Sequence, residues 1–218
     1  MFRPVINPSP AQKRSQSLGD IFLSANYTFS RAIRWISFLP GGASFLVLLS
    51  MASSITGCRD HQDPSATATV SLISTSGSNV GSAEMTEDKD GMVTLKVNVT
   101  SLPAGSHGIH FHEIGAADPQ AAPAFATSGE HYNPASRKHG LENPEGTHAG
   151  DLPNLVVDAQ GRGSLVTTTD RITLTDGPKT LFDANGSSLI IHASIDDQKT
   201  DPSGNSGPRI AGGVVERK

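Results

Sequence analysis

Only one of the 218 residues is a cysteine, Cys58, so the chain can close no disulfide within itself. An exported protein without that staple is held by core packing or by metal. Aromatic residues are also scarce, at 5%, while 22 Gly and 14 Pro accompany a hydrophobic content of 36%. That balance argues against a helical bundle and suits short strands joined by turns. A long apolar run is missing as well: Trp35 to Met51 is broken at Pro40-Gly41-Gly42, and its remainder, Ala43–Met51, is too short to span a bilayer. Positive charge is lacking where a nucleic-acid surface would need it. Residues 58–218 carry twelve Lys and Arg against twenty Asp and Glu, a net −8 that gives nucleic-acid binding no support.

The lead differs. Residues 1–57 hold five Lys and Arg against one Asp, a net +4, and residues 1–35 show no usable periodicity. Arg31 and Arg34 precede the apolar stretch, and Ala43–Met51 suits the apolar core of a signal peptide. Ile55-Thr56-Gly57-Cys58 follows at once and resembles the lipobox of bacterial lipoproteins. The alternative is an ordinary signal peptide, or a membrane anchor, with an incidental cysteine. Position favours the lipobox, because the only cysteine ends the only such stretch. The resemblance implies a lipid on Cys58 and export to the bacterial cell envelope, with residues 59–66 as a flexible tether and residues 67–218 as the folded domain.

From Thr67 the pattern is β. Thr67–Ser74 alternates and is rich in β-branched residues, Val80–Thr86 follows a Ser/Gly/Asn turn, and Met92–Val99 puts Val93, Leu95, Val97 and Val99 on one face. Later strands are expected at Leu155–Val157, Ser164–Thr169, Ser188–His192 and Ile210–Val215, with weaker signals at Ile172–Leu174 and Lys179–Phe182. No repeat and no convincing helix emerges. Many short strands with frequent turns predict a sandwich or barrel. A long irregular segment from Gly115 to about Leu152 interrupts them, and a loop of that length in a compact domain is functional or disordered.

Histidine is what the domain has in quantity. His110 and His112 stand two apart in a strand-like stretch, so their imidazoles share a face. Alone, such a pair suits a solvated strand as well as a metal site. Five more histidines lie in the domain: His107, then His131, His139 and His148 in the long segment, then His192 at the end of an apolar strand. That number is hard to explain as surface histidines, and metal coordination would order a segment whose conformational entropy costs about 1–2 kcal/mol per residue.

Six motifs then resemble, in order and spacing, those of the copper/zinc superoxide dismutase family of the bacterial exported type. They are Gly105–Gly115 (GSHGIHFHEIG), His131–Pro134 (HYNP), Lys138–Gly140 (KHG), His148–Leu152 (HAGDL), Ser188–His192 (SLIIH) and Gly204–Gly212 (GNSGPRIAG). The resemblance covers about residues 67–217 and implies an all-β, eight-stranded Greek-key barrel with a long metal-binding loop and a Gly-rich electrostatic loop at Ser194–Gly207. It implies copper on His110, His112, His131 and His192, and zinc on His131, His139, His148 and Asp151, with His131 bridging. It implies Asp196 linking His110 to His139 from behind, with Asp197 as the adjacent rival. His107 would be structural beside the copper site, Ser203 would line the channel, and Arg209 would stand at the channel mouth. The substrate would be superoxide, dismuted by copper cycling between Cu(II) and Cu(I). The donor chemistry agrees: three histidines and a carboxylate suit tetrahedral zinc, and four imidazoles suit Cu(II).

One departure stands out. Most relatives tie the long loop to the last strand with a disulfide, whereas here that final-strand position is Gly212 and no cysteine lies between His112 and His131. A looser backbone at Arg209 and a less stable metal-free protein are expected. The rival reading is a copper/zinc-binding or copper-delivery lipoprotein on the same fold with little turnover. It would be favoured by loss of a copper histidine or of Arg209, and all of them are present.

Overall fold

The computed structural model describes residues 64–218, so the basic lead, Cys58 and most of the tether lie outside the described residues. Nine strands form one antiparallel sheet: β1 (Ala66–Ser74), β2 (Asn79–Glu87), β3 (Val93–Val99), β4 (Gly105–His107), β5 (Ile109–His112), β6 (Leu155–Val157), β7 (Gly163–Thr169), β8 (Ser188–His192) and β9 (Arg209–Arg217). The sheet takes in Ala66, which the sequence reading left in the tether.

The strand order is β4-β6-β7-β3-β2-β1-β9-β8-β5. Its two end strands, β4 and β5, are separated in the chain by Gly108 alone, so the sheet closes on itself as a barrel. Counting β4 and β5 as one bent strand gives the eight expected, and the leap from β3 to β4 over β6 and β7 is a Greek-key connection. Gly108 makes the bend possible: a Cβ there would stand 2.8 Å from the Ser206 Cβ and 3.2 Å from that of Asp196.

Alternation builds the interior. Val93, Leu95, Val97 and Val99 of β3 are buried, as are Val70 and Leu72 of β1 and Ala83 and Met85 of β2. Each large aliphatic chain removed from water contributes about 1.5–3 kcal/mol. The β2–β3 hairpin is set by Asp88, whose Oδ1 accepts from Asp90 N and Met92 N, both at 2.9 Å. Such a side-chain turn substitutes for a backbone one.

The weak strand signals at Ile172–Leu174 and Lys179–Phe182 do not become strands; only a single bridge, Thr173 to Thr180, joins them. Buried Glu87 closes off the first run. Its carboxylate takes the Leu174 and Thr175 N–H groups at 2.7 and 2.8 Å and the Thr175 hydroxyl at 2.9 Å, so those donors cannot join a ladder. The long segment adds a 3-10 turn, Ala126–Ser128, that the sequence did not announce.

Candidate metal centre

β5 pairs with β8 through one edge and with the long loop through the other. Phe111 N donates to Gly150 O at 3.0 Å, and Tyr132 N donates to Phe111 O at 2.8 Å. These bonds lay Asp151 opposite His110 and His131 opposite His112. Pairing with β8 places Ile190 and Ile191 beside this stretch, and His192 follows at the strand end. Strand alternation, a strand pair and a loop docked on a free edge thus gather the site.

Four nitrogens converge. His110 Nδ1, His112 Nε2, His131 Nε2 and His192 Nε2 are buried and have no hydrogen-bond partner. These four histidines offer ligand atoms all within 4.8 Å of one another. Their other nitrogens are engaged: His112 Nδ1 donates to Gly129 O at 3.0 Å, His192 Nδ1 donates to Gly207 O at 2.9 Å, and His110 Nε2 meets Asp196 Oδ2 at 2.7 Å. The outer bonds fix the tautomers so that lone pairs face inward. An unpaired buried polar group costs about 1–3 kcal/mol, so four aimed at one point call for a cation.

His131 belongs to a second group as well. Its Nδ1 lies 3.2 Å from Asp151 Oδ1, alongside His139 Nδ1 at 3.0 Å and His148 Nδ1 at 3.4 Å. The other oxygen, Oδ2, is held away by Gly140 N, His148 N and the Thr147 hydroxyl at 2.8, 3.0 and 2.8 Å. One carboxylate oxygen and three imidazole nitrogens therefore face one another, a donor set suited to tetrahedral zinc. The four-nitrogen group suits Cu(II).

Electrostatics favours metal over protons at the first group. Burial pushes His110 down to about 3 and His192 down to about 4, and lowers His112 also, with neighbouring positive charge adding to each. Neutral imidazole is the form that binds metal. At His139 burial would lower the pKa, but the hydrogen bonds its ring donates to Asp151 and Asp196 raise it to about 9. Burial opposes ionisation of both carboxylates, yet their histidine partners hold them well below the usual range.

Asp196 is the linker: Oδ2 takes His110 and Oδ1 takes His139 Nε2 at 3.0 Å. Asp197 is exposed and caps its own turn through Lys199 N, Thr200 N and Asn205 Nδ2. His107 lies outside both groups, with Nδ1 on His192 O at 2.8 Å and Nε2 on Pro103 O at 2.9 Å. Arg209 and Glu130 are the charged residues lining a cleft of about 450 Å³ among the described residues. Gly129 and Gly207, whose carbonyls hold His112 and His192, line the same cleft, so it lies beside the four-nitrogen group, although none of the four histidines lines it. Ser203 does not line it; its carbonyl accepts from Ser206 N at 3.2 Å. Sequence reasoning missed Phe125, Ser128 and Gly129, which accept three bonds from Arg209: Nη1 donates to Phe125 O (2.7 Å) and Ser128 Oγ (2.9 Å), and Nη2 to Gly129 O (2.6 Å). The looser Arg209 expected from the missing bridge is thus countered by a three-point hold. It missed Arg171 too, whose Nη2 donates to the Asp151 carbonyl at 2.6 Å.

A Greek-key barrel with adjoining four-nitrogen and three-nitrogen-one-oxygen groups defines a protein of the two-metal, copper and zinc kind. The family model for copper/zinc superoxide dismutase matches residues 79–215. The chain is 43% identical over 146 residues to a copper-zinc superoxide dismutase of Aquifex aeolicus, covering 66% of this chain and 83% of the relative. It is 38% identical to that of Caulobacter vibrioides over 143 residues, 64% of this chain and 80% of the relative. The crystal structure of a superoxide dismutase-like protein from Bacillus subtilis superposes with a TM-score of 0.62 at 38% identity, covering 67% of this chain and 96% of that one. The chain belongs to the copper/zinc superoxide dismutase family, and is accordingly an oxidoreductase whose cofactors are copper and zinc.

Proposed function

We propose that this protein dismutes superoxide at the bacterial cell envelope, using copper held by His110, His112, His131 and His192 and zinc held by His131, His139, His148 and Asp151. The convergence of four partnerless buried nitrogens carries the reading. Bound copper would supply the one-electron cycle by which two superoxide ions and two protons become dioxygen and hydrogen peroxide. The chain's residues do the rest. Arg209 presents a guanidinium at the cleft to attract and orient a small anion. Superoxide dismutases are standard examples of such steering. Asp196 fixes the rings of His110 and His139. His131 faces one group with Nε2 and the other with Nδ1, and its Nε2 can hold a proton when it is not serving as a ligand. Asp151 and the three Nδ1 atoms order the long loop.

Copper and zinc titration of the purified protein, followed by superoxide decay beside His112→Ala, tests this. One copper and one zinc with fast decay, lost in the variant, is the expected result. Full metal with decay no faster than in His112→Ala would favour a binding or delivery lipoprotein. The lipobox-like Ile55–Cys58 supports anchoring. Cys58→Ser should move the protein from the membrane fraction to the soluble one, and an unchanged distribution would refute the anchor.

A further inference from the structure

Phe125 is buried completely, although it lies in a loop. Its backbone sits in the left-handed region, with φ 60° and ψ 14°. A bulky residue adopts that conformation only where its surroundings impose it. The imposing neighbour is β9. A Cβ built on Gly212 would stand 3.3 Å from Phe125 Cδ1 and 2.5 Å from Ile190 Cδ1, so the glycine leaves the space the ring occupies.

The backbone around the ring is a junction. Phe125 N donates to Asp118 O at 2.8 Å, and Phe125 O accepts from Ser128 N at 3.1 Å and from the Ser128 hydroxyl at 2.8 Å. All three acceptors of the Arg209 guanidinium belong to this one turn. Gly129 O, one of the three, also accepts from His112. A shift of the turn would therefore move the guanidinium relative to the four-nitrogen group.

Resting on the reading of Arg209 as the anion-guiding group, we propose that Phe125 is its positioning residue: the ring, seated against Gly212, locks the Phe125–Gly129 turn and so aims the guanidinium into the cleft without a covalent tie. The hold needs no cysteine, and thiol reductants leave it intact.

The test uses the copper- and zinc-loaded protein, azide as a small monoanion titrated optically at copper, and the superoxide decay rate. Misplacement of about 1 Å can cost on the order of 100-fold, so Phe125→Ala with full metal should weaken azide binding and lower the rate by at least about 10-fold. Phe125→Leu, which keeps apolar bulk, should retain most of both. Phe125→Cys combined with Gly212→Cys places two thiols across the same gap. Oxidised, the metal-loaded pair should approach the parent; Phe125→Ser combined with Gly212→Ser, which keeps the side-chain size without the bond, should fall to the level of Phe125→Ala. Parental azide affinity in fully metallated Phe125→Ala, while Arg209→Ala loses it, overturns the proposal. Parental affinity in Arg209→Ala overturns the Arg209 reading and the proposal with it. If Phe125→Ala takes up no metal, the oxidised cysteine pair decides alone, and azide affinity well below parental in that metal-loaded pair overturns the proposal.

Discussion

His139 Nε2 stands 3.0 Å from Asp196 Oδ1, which binds this histidine of the three-nitrogen, one-oxygen group from behind. The other oxygen of the same carboxylate lies 2.7 Å from His110 Nε2, in the four-nitrogen group. Two donor groups therefore share one outer support, and that support is completely buried at both histidines. Asp196→Asn keeps the size but puts an amide N–H where a ring N–H must be accepted, so one of the two rings loses its partner. Loss of such a support typically costs about 10–100-fold in metal affinity. Competition with chelators should show at least one of the two metals weakened, and unchanged affinities for both would contradict the linkage.

Metal removal is the second prediction. The metal-free protein keeps four buried nitrogens without partners and a long loop whose ordering rests on Asp151. A ligand that binds only the folded state adds about 4 kcal/mol at a thousand times its dissociation constant. Calorimetry should place the metal-loaded melting temperature far above the metal-free one. A gap of about two degrees or less would refute metal as the loop's fastener. Reductant should leave the metal-free value unchanged, since Cys58 has no partner cysteine in the chain.

The parts of this arrangement that are local in sequence could be read there. His110 and His112 announce themselves by spacing, the β3 face by alternation, and the ligand sets by resemblance to family motifs. What was not legible is set by residues distant in the chain. Arg209 and Phe125 are 84 positions apart, and only the fold shows that one accepts from the other. Glu87 follows the expected strand Val80–Thr86, and nothing in the sequence shows that it claims the backbone donors of Leu174 and Thr175 at the end of the apolar run Ile172–Leu174. Asp196 and Asp197 were adjacent rivals until burial of one and exposure of the other separated them.

The third prediction concerns pH in the metal-free protein. An imidazole in the unfolded chain titrates near 6.5, whereas burial holds His110 at about 3 and His192 at about 4 in the fold. Between those values the unfolded chain binds protons that the folded one does not, so stability falls as pH drops from 6.5 toward 4. His139 acts in the opposite sense. Raised to about 9, it keeps a proton that the unfolded chain releases above 6.5, and its contribution, complete below 6.5, fades as pH rises to 9. The metal-free melting temperature should therefore peak near neutrality and decline on both sides; a profile flat from pH 4 to 9 would contradict these environments.

The last prediction separates fold from chemistry. Glu87 makes three hydrogen bonds to Leu174 and Thr175 and none to either donor group. Glu87→Ala leaves buried amides without acceptors, at a cost of about 2–4 kcal/mol, which in a domain of this size lowers the melting temperature by about 5–12 °C. Glu87→Gln should recover most of that loss. Its carbonyl oxygen can take the two N–H groups, and the Thr175 hydroxyl can turn to accept from the amide. At 25 °C both variants should hold full copper and zinc and dismute at the parental rate. A Glu87→Ala protein that melts like the parent would show that the loop beyond β7 stands without this carboxylate.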